Sequence, residues 1–513
     1  MTSGKRGFPA RLVDWLAVAL SLAGVLAAAW VSRHIFDGIP HVEDEIAYVW
    51  QANLLTEGQF SMPSPEFEVS FLVPFVVDHD GLRFSKYPPG WPAALAVGVL
   101  LGLRAWVNPL LAGLGIWLTY RLGRRVFNPG IGLLAAGLTL SSPFFLMNSG
   151  SLLSHPLGLA LAAGFALAWL AAFGPQPARR PWLPTLAAGL LLMALLLTRP
   201  LTAAAVALPF IAHGLVQLVR GDWEQRRRLL AVALAGLAGV ALYLYWQYSL
   251  TGDPLLNPYT LWWPYDKIGF GPGIGATSTG HTLYNAWLNL RLSLFTGSYD
   301  LFGWGQFSWL FLPLGVVAAR RNGPAWLVGG VFLSLVAVHL AYWIGARLFG
   351  PRYYYEGLPG LTIFSAAGIA WLAGWPLREN QERRTASGWR KLRPLLVTWL
   401  LGVLVAINLL AYTPIRLGNM VNLYGISAAD QAPFLQPEVQ ALVPALVIVD
   451  AELWMDYGAL LDLQDPYLTA PIIFAWTTNP EKEYVLARAF PERGVYYYYP
   501  EKEAWVLYGR PQP

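Results

Sequence analysis

The chain is divided almost from end to end into apolar runs about as long as a bilayer is thick, and nothing else in it constrains folding as tightly. The runs cover roughly residues 12–33, 105–122, 130–148, 152–173, 183–199, 201–220, 228–249, 304–320, 324–344, 357–376 and 394–413, set against the ~17–25 residues a helix needs to cross the hydrocarbon core. Backbone in hydrocarbon must satisfy its own hydrogen bonds, so these runs predict helices. Of the 513 residues, 56% are hydrophobic and 13% charged, and 24 are Trp, which excludes an ordinary soluble domain. The expected fold is an all-α polytopic membrane protein of about eleven transmembrane helices. The stretch "AAAWVSRHIF" offers no small-residue cleavage site, so the first run reads as a retained span. There are no cysteines, hence no disulfide and no thiolate metal site.

Basic clusters sit at every second connection: "GKRG", "YRLGRRVF", "QPARRP", "VRGDWEQRRR", "AARRNG" and "RENQERRTASGWRKLR". The positive-inside rule makes those connections cytoplasmic, with the N-terminus inside and, for an odd number of spans, the C-terminus outside. The same rule accounts for the net charge of +5 without nucleic acid as a partner. Residues 1–413 then form a transmembrane domain with two large outer loops, 34–104 and 251–303, and residues 414–513 a separate outer segment. In the first loop, the short apolar run after Lys86 is expected to lie along the interface as an amphipathic helix, with a short additional span, which would reverse the topology downstream, as the alternative. The second loop, containing "NPYTLWWPYDKIGFGPGIGATSTGHTLYNAWLNL", is rich in Gly, Pro and aromatic residues that suit an interfacial belt. Its "GPGIG" lacks the Lys-Ser/Thr ending of a phosphate loop. After Tyr412 charges and turn residues return, and "ALVIVD", "PIIFAWT" and "GVYYYYP" predict the strands of a small extracytoplasmic α/β domain.

The residues that bear chemistry gather on the outer side. "IPHVEDEIAYVWQ" places Glu43, Asp44 and Glu45 together just after the first span. Acids at the positive end of a helix account for one of them better than for three. "RFSKYPPGWP" holds Lys86 on a stiff turn before two prolines, an arrangement suited to a phosphate, which an ammonium binds without demanding planar geometry. Arg199, in "LLTRPLTA" between two spans, is expensive there unless it faces a polar cavity or an acid, and Arg352 lies in "FGPRYYYEGLPG". Acids and cations on one membrane face, flanked by apolar spans, fit a site for a lipid-linked phosphosugar: cations hold the phosphate and a carboxylate takes a proton from an acceptor hydroxyl. Tyr87, His155 and His281 are further substrate-binding candidates, His281 as a loop residue facing substrate or backbone. A divalent metal on His41, Glu43, Asp44 and His155 is chemically permitted, although no two of them have a specific ligand spacing.

These elements together, "EDEIAYVWQANLLTEGQF", "KYPPGWP", an Arg-Pro hairpin and "GPRYYYEGLP", resemble the C-type (GT-C) membrane glycosyltransferases. The nearest branch is the family-39 group that includes the protein O-mannosyltransferases and the lipid A aminoarabinose transferase. The resemblance covers roughly the first four-fifths of the chain. It implies an inverting transferase whose donor is a sugar on polyprenyl phosphate and whose acceptor is a lipid, glycan or protein, at a prokaryotic plasma membrane. It also implies that Asp44 is the catalytic base, with Glu45 beside it, and that Lys86, with Pro88 and Pro89, faces the donor phosphate. Arg199 and Arg352 would join Lys86 there, and Tyr87 interrupts the family's Lys-Pro-Pro element. The alternatives are a transporter or flippase of lipid-linked sugars and a non-catalytic assembly or sensor protein.

Overall fold

The computed structural model describes residues 10–378, 391–477, 480–500 and 504–507. The "GKRG" cluster and residues 379–390 of "RENQERRTASGWRKLR" lie outside them. In chain order the first half consists of α1 (Ala10–His34), α2 (Glu43–Thr56), β1 (Met62–Pro63), β2 (Val76–His79), β3 (Leu82–Ser85), α3 (Gly90–Leu100), α4 (Val107–Val126), α5 (Pro129–Leu140), α6 (Pro143–Gly150) and α7 (His155–Phe173). It continues with α8 (Trp182–Thr198), α9 (Pro200–Arg220), α10 (Trp223–Thr251), α11 (Tyr259–Trp262), α12 (Leu283–Asp300), α13 (Leu312–Ala319), α14 (Gly323–His339), α15 (Leu358–Ala373) and α16 (Arg393–Ile407).

Among the described residues six helices are long and apolar enough to cross a membrane, or eight if two bent pairs each count as one span. Three shorter apolar helices, Gly90–Leu100, Trp182–Thr198 and Gly323–His339, accompany them. By length and composition the full-length spans among the described residues number six to eight, beside these shorter helices, and not every expected run is a single straight helix. The run at 130–148 is two helices, α5 and α6, bent by 62°. Ser141 ends one, and Ser142 caps the other by accepting from the Phe145 N–H, with Pro143 at the first helical position. The run at 304–320 contributes only a 3-10 turn and α13, and α12 precedes it at 97°. α12 lies where the sequence suggested outer loop. The short run after Lys86 is also a correction: α3 has 11 residues, about 16 Å at 1.5 Å each, and is apolar on all sides rather than amphipathic.

Close helix packing rests on small residues, as is usual between membrane helices. α15 is buried along almost its whole length against α13 and α14. A Cβ at Gly368 would stand 2.1 Å from the Phe311 carbonyl oxygen, and one at Gly360 would stand 2.8 Å from that of Val328. Neither position accepts a side chain without backbone movement.

The three C-terminal runs are β4 (Ala445–Val449), β5 (Ile472–Trp476) and β6 (Gly494–Tyr499), joined by β7 (Ala504–Leu507) in the order β5-β4-β6-β7. The first three pair in parallel, and β7 is antiparallel to β6. β4 is buried on both faces, as an apolar central strand must be. Phe71 packs into one face of this sheet, and Arg104 grips Asp462 through two bonds of 2.6 and 2.8 Å. Both contacts tie the sheet to the segment between α1 and α4.

Candidate active site

Local rules place each functional side chain. α2 begins with three acids in its first turn, where the helix dipole favours them. β2 and β3 form a hairpin closed by Asp80 and Gly81, both at positive φ, the conformation a two-residue hairpin loop requires. The hairpin delivers Lys86 directly after Ser85, and the Lys86 N–H is fixed on the Phe75 carbonyl. Pro88 and Pro89 then open α3 at Gly90, where a Cβ would meet Thr198 Oγ1 at 2.4 Å. The lysine turn is thereby pressed against the end of α8. Arg199 sits in the break between α8 and α9, extended (φ −147°) as a residue before proline tends to be. Arg352 opens the 3-10 turn Arg352–Gly357 that leads into α15.

These elements enclose a cavity of about 300 Å³. Glu43, Asp44, Lys86, Arg199 and Arg352 all line it, as do Tyr87 and His155. Asp44 Oδ1 accepts from the Tyr87 hydroxyl at 2.6 Å, and Oδ2 from Arg352 at 3.2 Å. Burial pulls the Asp44 carboxyl upward, but Arg352, the Tyr87 hydroxyl and Lys86 outweigh it and hold the group below the ordinary aspartate range. Glu43 is pushed up, chiefly by burial.

Lys86 lies in an aromatic cage, its ammonium 3.4 Å from the Phe75 ring centre, 4.7 Å from Trp263 and 5.1 Å from Tyr259. Its nearest carboxylate is Asp266, at 3.7 Å. Asp266 Oδ1 in turn accepts from Tyr342 and Trp343 at 3.0 Å each. Burial lowers the Lys86 ammonium to about 8, and Asp266, Asp44 and Glu43 limit the fall. Arg199 Nη1 donates to Ser154 Oγ at 2.8 Å, and its Nε lies 3.2 Å from Glu356 Oε1. Each of the three cations thus has a carboxylate partner: Lys86 with Asp266, Arg199 with Glu356, Arg352 with Asp44. Asp266 and Glu356 did not figure among the residues read from sequence. Their signal was an acid among aromatic or apolar neighbours, and both lie in stretches that stood out for other reasons.

Glu45 and His41 are corrections to the expected site, and His281 takes the backbone side of its two alternatives. Glu45 does not reach the cavity. It is 1% exposed, and its two oxygens accept the backbone N–H groups of His41 at 2.8 Å and Leu152 at 2.7 Å, so it fastens the start of α2 to the α6–α7 connection. Burial raises it to about 7 against the pull of those two N–H groups. His281 is buried, stacked on Phe270, with Nε2 on the Leu340 carbonyl, so it faces backbone rather than substrate. His41 lies against Phe36 with Nδ1 on the Ile39 carbonyl, away from the cavity that His155 and Asp44 line. Among the described residues no group of three or more His, Asp or Glu side chains is placed to hold a metal ion.

No protein-family model and no curated protein matches the sequence. Solved structures do. ArnT from Cupriavidus metallidurans bound to undecaprenyl phosphate superposes with a TM-score of 0.56 at 17% identity, over 89% of this chain and 85% of that one. Its apo state gives the same score and identity over 94% and 89%. The fold is that of the GT-C membrane glycosyltransferases. The Archaeoglobus fulgidus oligosaccharyltransferase is also similar, at 12% identity and a TM-score of 0.49 over 90% of this chain and 65% of that one. Within the GT-C fold the cavity is assembled from the α2 start, the lysine turn, the α8–α9 break and the 3-10 turn before α15.

Proposed function

We propose that the protein is an inverting glycosyltransferase that moves a sugar from polyprenyl phosphate to an acceptor hydroxyl, on the outer face of a prokaryotic plasma membrane. The observation that carries this reading is the joint opening of Asp44, Lys86, Arg199 and Arg352 onto one cavity. Asp44 takes the proton of the acceptor hydroxyl, whose oxygen forms the new bond to the anomeric carbon. The bond from that carbon to the phosphate oxygen breaks, and polyprenyl phosphate leaves with the electron pair. Negative charge grows on the phosphate during this step, so fixed cations stabilise the transition state more than the bound donor. Undecaprenyl phosphate bound to ArnT supports a ligand of this class. In the membrane the N-terminus lies inside and the C-terminal sheet outside. The outer domain, residues 414–513, contains that sheet, and membrane lipid surrounds the apolar spans within residues 1–413.

Purified protein is tested against a panel of radiolabelled polyprenyl-phosphate sugars, with a lipid, glycan or peptide acceptor and with or without chelator. Release of polyprenyl phosphate with label on the acceptor is the expected result. Movement of intact donor across a vesicle membrane, with no bond broken, would instead make the protein a flippase.

A further inference from the structure

Of the three carboxylates paired with cations, Glu356 alone stands behind the cavity rather than on its wall. Its side chain is 0% exposed, with Oε1 3.2 Å from Arg199 Nε and 3.5 Å from His155 Nδ1. Among the described residues neither Glu356 oxygen has a hydrogen-bond partner of good geometry, and neither does His155 Nδ1. A carboxylate taken so far from water is costly unless a cation balances it, and packing alone would favour an apolar residue here. The fold also reserves space for this pair. Gly158, on the facing turn of α7, has no side chain, and a Cβ there would stand 2.5 Å from Glu356 Oε1 and 3.2 Å from Arg199 Cδ.

The Arg199 peptide is fixed in the break between two helices by the Leu195 carbonyl and the Ala203 N–H, whereas the guanidinium's other hydrogen bonds among the described residues are to the Ser154 hydroxyl at 2.8 Å and the Thr202 hydroxyl at 3.3 Å. Its side chain keeps 14% exposure, on the cavity side. We propose that Glu356 is a positioning residue that holds the Arg199 guanidinium from behind, with His155 as its second contact, so that Arg199 meets the phosphate as it leaves. The proposal rests on the glycosyltransferase reading above. Glu356 also sits four residues after Arg352 in the same turn, so one short segment sets the direction of two cations.

Charge and orientation make opposite contributions here, which separates positioning from simple attraction. A carboxylate beside Arg199 offsets part of its positive charge, so its removal leaves the pull on a bound phosphate equal or stronger. Loss of orientation acts on the reacting geometry, where small displacements cost most. Glu356→Gln keeps the shape and removes the charge. Gly158→Ala keeps every polar group and displaces the pair.

The experiment measures kcat and donor KM for both variants and for Arg199→Ala. Both are expected to lower kcat roughly 10- to 100-fold without raising donor KM, whereas Arg199→Ala lowers kcat and also raises KM. Unchanged kcat in Glu356→Gln, or a raised KM at unchanged kcat, overturns the proposal. If Glu356→Gln does not fold, Gly158→Ala decides by the same criteria. A wild-type protein that transfers no sugar rejects the glycosyltransferase reading and this proposal with it; transfer unaffected by both variants rejects the proposal alone.

Discussion

Lys86 gives the account a pH signature. Its ammonium is 3% exposed, ringed by Phe75, Tyr259 and Trp263, with Asp266 at 3.7 Å. Burial lowers its ionisation from 10.5 to about 8, a penalty of about 3 kcal/mol against the charged form. The folded protein therefore holds the ammonium below about pH 8 and loses it above. A phosphate monoester completes its own ionisation near pH 6, so a change above pH 7 belongs to the protein. A charge-assisted contact is worth about 1.5–3 kcal/mol, or roughly 10- to 100-fold in affinity. Equilibrium binding of radiolabelled undecaprenyl phosphate in detergent, from pH 6.5 to about 9.5, reads this directly. The dissociation constant should be flat at low pH, then rise about tenfold per unit above the lysine's ionisation until it reaches the level of Lys86→Met. Lys86→Met should bind weakly at every pH, without the inflection. Flat binding in the wild type across the whole range, or an inflection that persists in Lys86→Met, refutes the assignment of Lys86 to the phosphate.

Two further perturbations test the frame around the cavity. Glu45→Gln should destabilise the protein by several kcal/mol, because one carbonyl oxygen replaces two that accept buried N–H groups. Since Glu45 is raised from 4.5 to about 7, the folded state binds the extra proton between those values, and stability contributed by this group falls as pH rises through that window. Thermal unfolding from pH 5 to 8 should show that slope in the wild type and a reduced one in Glu45→Gln. Arg104→Ala strands Asp462, whose side chain is 8% exposed, at a cost of about 3–5 kcal/mol. Limited proteolysis should then release the C-terminal sheet faster, and Arg104→Lys should rescue little, since a lysine cannot reproduce the two-pronged contact.

Much of the site was legible because charge in apolar sequence is expensive and therefore informative. That logic singled out the acids at 43–45, Lys86, Arg199 and Arg352, and the family resemblance chose Asp44 among the acids; the fold brings Asp44 and the three cations to one cavity from positions more than 300 residues apart. It could not assign partners. Glu356 lies inside the quoted turn "GPRYYYEGLPG", yet its pairing with Arg199 depends on how α7, α9 and α15 meet. Asp266 was hidden among aromatic residues that equally suit an interfacial belt. Adjacency misled for Glu45: it neighbours Asp44 in the chain, but one helical step of 100° turns it from the cavity to backbone. The breaks in helices escaped hydropathy, which registers apolar length and not direction. The Ser-Ser-Pro at 141–143 was the local sign of the bend between α5 and α6. For α12, Asn285, Asn289 and Arg291 disguised a helix as loop. The C-terminal strands, by contrast, were readable from β-branched and aromatic runs bounded by turn residues.

Asp44 is proposed to take the acceptor proton in a cavity whose cations hold the donor. Asp44→Asn keeps the shape and removes the base, so turnover should fall by roughly 10²- to 10⁴-fold. Transfer and undecaprenyl phosphate binding are measured on the same preparation. Lost transfer with donor-phosphate affinity within a few-fold of wild type is the expected result; sugar transfer by Asp44→Asn at the wild-type rate would overturn the assignment of Asp44 as the base.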